Sequence, residues 1–242
     1  CHSLQNFYLL QYYFPLQKAY PKTTLDTELK IHGNIDSIAI ETMHMSLPKA
    51  IDINAHGYIQ HILDNKNKKG ELTLDASTGN LDFITRYLEL NNIKIPRISL
   101  NTKLQMSGKA YKADAMLKQG DGILHAKLFA DADHMNYRAA VNAENIHIAN
   151  FLPNDSIGML CFSTKIKGHG IDPLSKATGF EGEFNLNHLE YKNLNIDNTR
   201  LTAILKQGLA TIDFTCDNDL LIANACVGAD ITRTDSKADF SL

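Results

Sequence analysis

The side chains able to do chemistry are all present in this chain, but their spacing does not assemble them. Ten histidines invite a metal reading. His2, His32, His44, His56, His61, His125, His134, His147, His169 and His188 are scattered along the whole length, with no HExxH and no His-x-His. His56 and His61 stand five residues apart, a poor fit to two ligands on one helix or one strand face. Solvent-facing strand positions account for them better, and no metal site is expected. Asp217, Asn218 and Asp219 open like a calcium loop. Leu221, however, stands where the third ligand should be, and no glycine or terminal glutamate follows in register. That run reads as a hairpin turn. GxSxG, GxGxxG and the phosphate-binding GxxxxGK loop are all missing, which leaves hydrolase, dinucleotide and nucleotide chemistry without support. The carboxylates are isolated loop positions and cannot be divided into an acid and a base without a shared pocket. No cofactor is called for, and the reading is non-enzymatic.

The four cysteines, Cys1, Cys161, Cys216 and Cys226, fall short of a disulfide framework. Cys216 and Cys226 flank an expected hairpin and can pair if their strands are in register; buried free thiols are the alternative. Cys1 as first residue suggests an acylated lipoprotein terminus. A boundary in a longer sequence explains it as well and is preferred, because Leu4 to Phe14 reads as a packed element and not as a tether. Asn154-Asp155-Ser156 is a glycosylation sequon by letter.

What must position any of these residues is a strand used three times. Leu25 to Gly33, Leu100 to Gly108 and Leu160 to Gly168 overlay on one another. Counting back from the glycines in twos gives Ile31, Met106 and Ile166, then Leu29, Leu104 and Thr164. The next columns hold Thr27, Thr102 and Phe162, then Leu25, Leu100 and Leu160. Between them stand hydrophilic residues such as Lys30, Lys103, Gln105 and Lys165. A period of two sends one set to a buried face and the other to water. A proline precedes each strand (Pro21, Pro96, Pro153), so the unit repeats at about 1–75, 76–145 and 146–242. A repeated unit points to an extended array, which suits a surface or a conduit better than one catalytic pocket.

The rest of the chain agrees. Most of it alternates in short runs broken by turn residues, at Asn65 to Gly70, Gln119 to Gly122, Lys206 to Gly208 and Asp217 to Asp219. A dozen or more strands in an antiparallel meander are expected, stretching roughly 60 Å side by side. Apolar spacing near 3.6 predicts short helices over residues 3–18 and 81–90, the second with Phe83, Ile84, Tyr87 and Leu88 on one side, and a turn or two over 146–152. With 44% hydrophobic residues the 242-residue chain can bury a continuous core. A net charge of −3 without a basic block argues against nucleic acid as a partner. The best apolar run, near Phe7 to Phe14, is too short and too polar to span a membrane. The tyrosines Tyr111, Tyr137 and Tyr191 lie far apart in sequence and form no evident aromatic platform. With no initiating methionine and no signal-like start, the chain reads as a piece of something longer.

A dozen antiparallel strands curl, split or close. Periodicity alone favours two sheets covering one another, a sandwich acting as a binding or structural module at the cell surface for a glycan or protein. The order short helix, proline, alternating strand, glycine resembles the β-rich repeats of the TamB/AsmA-like superfamily. So do Phe151-Leu152-Pro153 through Ile157-Gly158, the run from Lys167 to Pro173, and Leu189 to Leu194. The resemblance covers roughly residues 20–240 and is closest to the Bacteroides-type translocation and assembly proteins. It implies an elongated, curled antiparallel sheet with an apolar trough, crossing the periplasm from an inner-membrane anchor outside this segment. It also implies phospholipid as cargo and outer-membrane assembly proteins as partners. On that reading the trough is lined by Leu25, Leu29, Ile31, Leu100, Leu104, Met106, Leu160, Phe162 and Ile166. Met43, Met45 and Met106, on or near that face, suit a path that adapts to varied acyl chains.

Overall fold

In the computed structural model the chain is one open antiparallel sheet of fifteen strands, hydrogen-bonded in chain order. The structure describes residues 2–6, 24–90, 92–232 and 238–241; for 2–6, 238–241, 84 and 87 only the backbone is described. The first five strands are β1 (His2–Asn6), β2 (Thr24–Gly33), β3 (Ser37–Leu47), β4 (Ile51–Gln60) and β5 (Lys69–Thr78). Helix α1 (Asp82–Tyr87) leads into β6 (Ser99–Ser107), β7 (Ala110–Gln119), β8 (Gly122–Asp131) and β9 (Asn136–His147). After a 3-10 turn at Ile148–Asn150 come β10 (Ile157–His169), β11 (Gly179–Tyr191) and β12 (Leu194–Lys206). The last are β13 (Leu209–Asn218), β14 (Leu221–Asp230) and β15 (Ala238–Ser241).

The turn residues explain why the chain doubles back so often. Gln207 and Gly208 both have positive φ (55° and 84°), the conformation that a two-residue hairpin needs to match the twist of its strands. Gly108 (φ 58°) does the same between β6 and β7. Register shifts interrupt the ladder between Lys30 and Ile31 on β2, between Ile40 and Met43 on β3, and around Leu160 to Phe162 on β10. Such bulges sharpen local twist and bend the strand that carries them, which helps a long sheet to curl. The three repeated strands are β2, β6 and β10, four strands apart, so the sequence repeat is a four-strand repeat in space.

Two connections at one end of the sheet are tied together. Residues 79–98, between β5 and β6, carry α1; residues 148–156 join β9 to β10 at the same end. Asn80 accepts the Asp82 backbone N–H through its side-chain oxygen and so satisfies one of the free donors of α1. A six-residue helix is too short to stand alone. It is held by Leu81 and Phe83, which pack with Leu47 and Ala50 in a small buried cluster flanked by Leu25, Ile51 and Ile95. The Lys94 N–H donates to the Phe151 carbonyl at 2.8 Å, and Asn154 Nδ2 to Asn92 Oδ1 at 3.0 Å, tying the two long connections into one rim.

Several expectations change. The helix over residues 3–18 is not formed where the chain is described: His2–Asn6 is a strand paired with β2, from His2 opposite Glu28 to Asn6 opposite Thr24. An edge strand offers a row of unpaired N–H and C=O groups, and a partner strand satisfies them where a helix could not. Residues 7–23, including Pro21, and Cys1 lie outside the described residues. The helix over 81–90 shortens to Asp82–Tyr87; Glu89 has positive φ, and Leu88 points out of the cluster, 54% exposed. Ile146 and His147 end β9, and only Ile148–Asn150 winds as a 3-10 turn. The sandwich needs a second sheet, and the described residues contain only this one.

Candidate functional site

Register decides which side chains share a face, because residues directly opposite one another in an antiparallel sheet point the same way. The row through Leu104 crosses the sheet as Ile31, Ile40, Gly57, Leu72, Leu104, Ala113, Leu128, Ala139, Ile166, Gly182, Ala203, Ile212 and Val227. The row through Leu29 continues through Met43, Ala55, Leu74, Thr102 and onward to Phe214 and Ala225. Toward the long connections lies the row of Thr27, Met45, Ile53, Ala76, Leu100, Leu117, Leu124, Ala143 and Phe162. Toward the short turns lies the row of Ile38, Ile59, Gly70, Met106, Tyr111, Ala130 and Tyr137. From β2 to β14 none of these four rows holds an Asp, Glu, Lys, Arg or His. That uninterrupted apolar face is the most unusual property of the sheet.

Among the described residues much of it is also uncovered. Leu29 is 47% exposed, Ile31 54%, Leu104 40% and Leu128 49%, and no large side chain among the described residues falls below 2%. In the middle of the face the strands carry alanines (Ala113, Ala130, Ala139) where their neighbours carry Leu72, Leu104, Met106, Tyr111 and Tyr137. Small residues between large ones leave a groove of about 540 Å³ across β4 to β9. Phe162 and Phe184 stack further along the same face, ring centroids 5.7 Å apart.

Of the nine lining residues expected from sequence, all keep the apolar parity. They do not form one site. Leu29, Ile31, Leu104, Met106 and Ile166 line the bare middle and the short-turn side. Leu25 packs against the buried cluster at the capped end, and Leu160 sits opposite the buried Ile146 near that end. Leu100 and Phe162 lie in the row between. The sequence columns are also shifted: Leu104, not Met106, shares a row with Ile31 and Ile166. The reason is that Gly108 belongs to a turn, whereas Gly33 and Gly168 end within strands. A shift of two preserves the face. Sequence reasoning missed Leu72, Tyr111, Leu128 and Tyr137. Tyr111 and Tyr137, far apart in sequence, lie two strands apart in one row, about 10 Å across. Alternation within β7 to β9 was the signal available for them.

The opposite face carries the charges, arranged as cross-strand partners. Lys167 meets Glu181 at 2.6 Å, Lys103 meets Glu71 at 2.9 Å and Arg200 meets Glu183 at 3.3 Å. The Gln105 amide, and then the Lys103 ammonium, hold the Glu71 carboxyl below the usual carboxylate range. Asn185, then Arg200, do the same for Glu183. These pairs are exposed, so each contributes little stability; they fix which face meets water. Histidines join the pattern, His125 with Asp114 and His188 with Asp197, both at 2.6 Å. Among the described residues no group of His, Cys, Asp and Glu is arranged to hold a metal ion. Cys216 and Cys226 do not pair. Cys216 lies opposite Ala223, and Cys226 opposite Asp213, an odd number of residues away. One thiol is therefore buried on the apolar face and the other lies on the charged face, where Asp213 raises its pKa. Among the described residues no helix is long and apolar enough to cross a membrane.

Comparison with known proteins returned no matching family model, no matching curated protein and no matching solved structure.

Proposed function

We propose that this chain is a non-enzymatic segment of a periplasm-spanning protein that moves lipid or assists outer-membrane assembly, presenting its apolar face to phospholipid acyl chains. The observation that carries the reading is the face itself: four rows without a charge, crossing thirteen strands, with Leu29, Ile31, Leu104 and Leu128 open to solvent. An acyl chain of about sixteen carbons left in water costs on the order of 13 kcal/mol at ~0.8 per methylene. A path for it must be apolar without interruption, since one unpaired charge would draw in water or expel the chain. The bare rows meet that requirement, and Met43, Met45 and Met106 add side chains that adapt to irregular contacts. The proposal brings with it an inner-membrane anchor outside these residues and outer-membrane assembly proteins as further partners.

The reading is tested by purifying the protein from a Gram-negative host without detergent and measuring co-purified phospholipid by mass spectrometry. Wild type and Lys103→Ala are expected to retain lipid, and Leu104→Asp paired with Leu128→Asp to lose most of it while keeping the β circular dichroism signal. Lipid-free wild type, or equal retention in all three proteins, would overturn it.

A further inference from the structure

The larger concavity lies on the other face. Between two rows of charged side chains across β6 to β12 runs a groove of about 820 Å³. Seven strands make it about 29 Å long. Six cations line it, against three carboxylates, Asp114, Glu181 and Glu183, in a chain whose net charge is −3. Lys103, Lys127 and Lys167 have carboxylates within 4 Å. Among the described residues Lys112 and Arg138 form no such ion pair, and Lys165, opposite Glu183, acts on that carboxylate only at longer range, behind Arg200. The Arg138 guanidinium rests over the Phe129 ring, 4.7 Å from its centroid, a stacking that helps to order it. Ile204 adds an apolar contact on the wall.

We infer that this groove is a second binding site, for an extended acidic peptide segment of a partner protein, independent of the apolar face. The unpaired cations call for anionic groups, and a bidentate carboxylate suits Arg138. A uniform polyanion, whether nucleic acid, polyphosphate or anionic glycan, would bring a charge against Asp114, Glu181 and Glu183 as well. A planar membrane surface cannot follow a concave groove. A peptide can place carboxylates at Lys112, Arg138 and Lys165, amides or cations at the three acids, and an aliphatic side chain against Phe129 and Ile204. It crosses the strands, so side chains and not a β-ladder would recognise it.

The test is fluorescence anisotropy on the full chain with a labelled twelve-residue peptide containing four aspartates spaced among leucines and asparagines. Saturable binding is expected, weakening as salt rises from 50 to 300 mM, because the contacts are screened. Lys112→Glu, Arg138→Glu and Lys165→Glu together should weaken it at least about tenfold, at the strength of exposed charge pairs. Lys66→Glu, Lys94→Glu and Lys176→Glu together change the net charge equally, lie outside the groove and should leave binding within about twofold. Unchanged melting in both triple variants keeps the comparison one of binding. No saturable binding by wild type overturns the inference, as does equal weakening by the two triples. Tighter binding of polyphosphate or of phosphatidylglycerol vesicles than of the peptide overturns it in favour of a uniform polyanion.

Discussion

Leu81 and Phe83 at the capped end are each 4% exposed, whereas Leu104 and Leu128, on the same side of the sheet, are 40% and 49% exposed. The residue types are alike, but Leu81 and Phe83 belong to the connection that carries α1, whereas Leu104 and Leu128 alternate on β6 and β8. What separates the two regions is the chain laid over them. At the capped end α1 and the connections joined through Lys94 and Phe151 cover the apolar rows. At the other end most hairpins are short, and the two longer connections, 61–68 and 170–178, leave Leu104 and Leu128 exposed. A sheet with an apolar face normally buries it against another layer; here the molecule does so at one end and leaves the rest bare. Burial at the capped end serves stability, and the proposed function assigns the bare rows to lipid.

If that division is right, truncations in the two regions should separate sharply. Phe83→Ala is expected to destabilise by about 3–5 kcal/mol, the cost of emptying a buried aromatic site. Leu104→Ala should cost only about 1 kcal/mol, because half of its side chain already meets water. Urea unfolding of the two variants measures both, and equal losses would show that Leu104 is buried by something absent from this description.

A smaller effect should come from adding atoms instead of removing them. In the Leu104 row Gly57 lies so close to β5 that a Cβ would run into the Glu71 carbonyl, whereas at Gly228 on β14 it would meet nothing. Gly57→Ala should therefore cost about 1–3 kcal/mol. Gly228→Ala should be neutral, or stabilise by about 0.5 kcal/mol through its unfolded chain. A shift in melting temperature for Gly57→Ala no larger than for Gly228→Ala would mean that the close approach near the β3 bulge is not required.

Much of this architecture could be read from the sequence, for a physical reason. Strand periodicity and turn chemistry are local, so the repeated strands, most hairpins and the parity of all nine lining residues followed from spacing alone. What could not be read was pairing. His2 to Asn6 carry a helix-compatible pattern, yet β2 offers them a ladder. Tyr111 and Tyr137 become neighbours only once β8 lies between their strands. Nor can alternation distinguish a sheet covered by a second sheet from one left bare, since both need the same apolar columns; the difference lies in which connections pack over them. The charged groove was invisible for a related reason. Lys112, Arg138 and Lys165 come from three strands, and register decides which carboxylates face them.

The central claim is that the bare rows, and not their neighbours one residue away, touch lipid. Photo-crosslinking residues placed singly at Leu104, Met106 and Phe162, with controls at Lys103, Gln105 and Lys165, test it in cells. Period two sends the two sets to opposite faces of the same strands. The account predicts phospholipid adducts at the first three positions and few at the other three. Adducts at neither set in a folded protein, or at both sets equally, would contradict it.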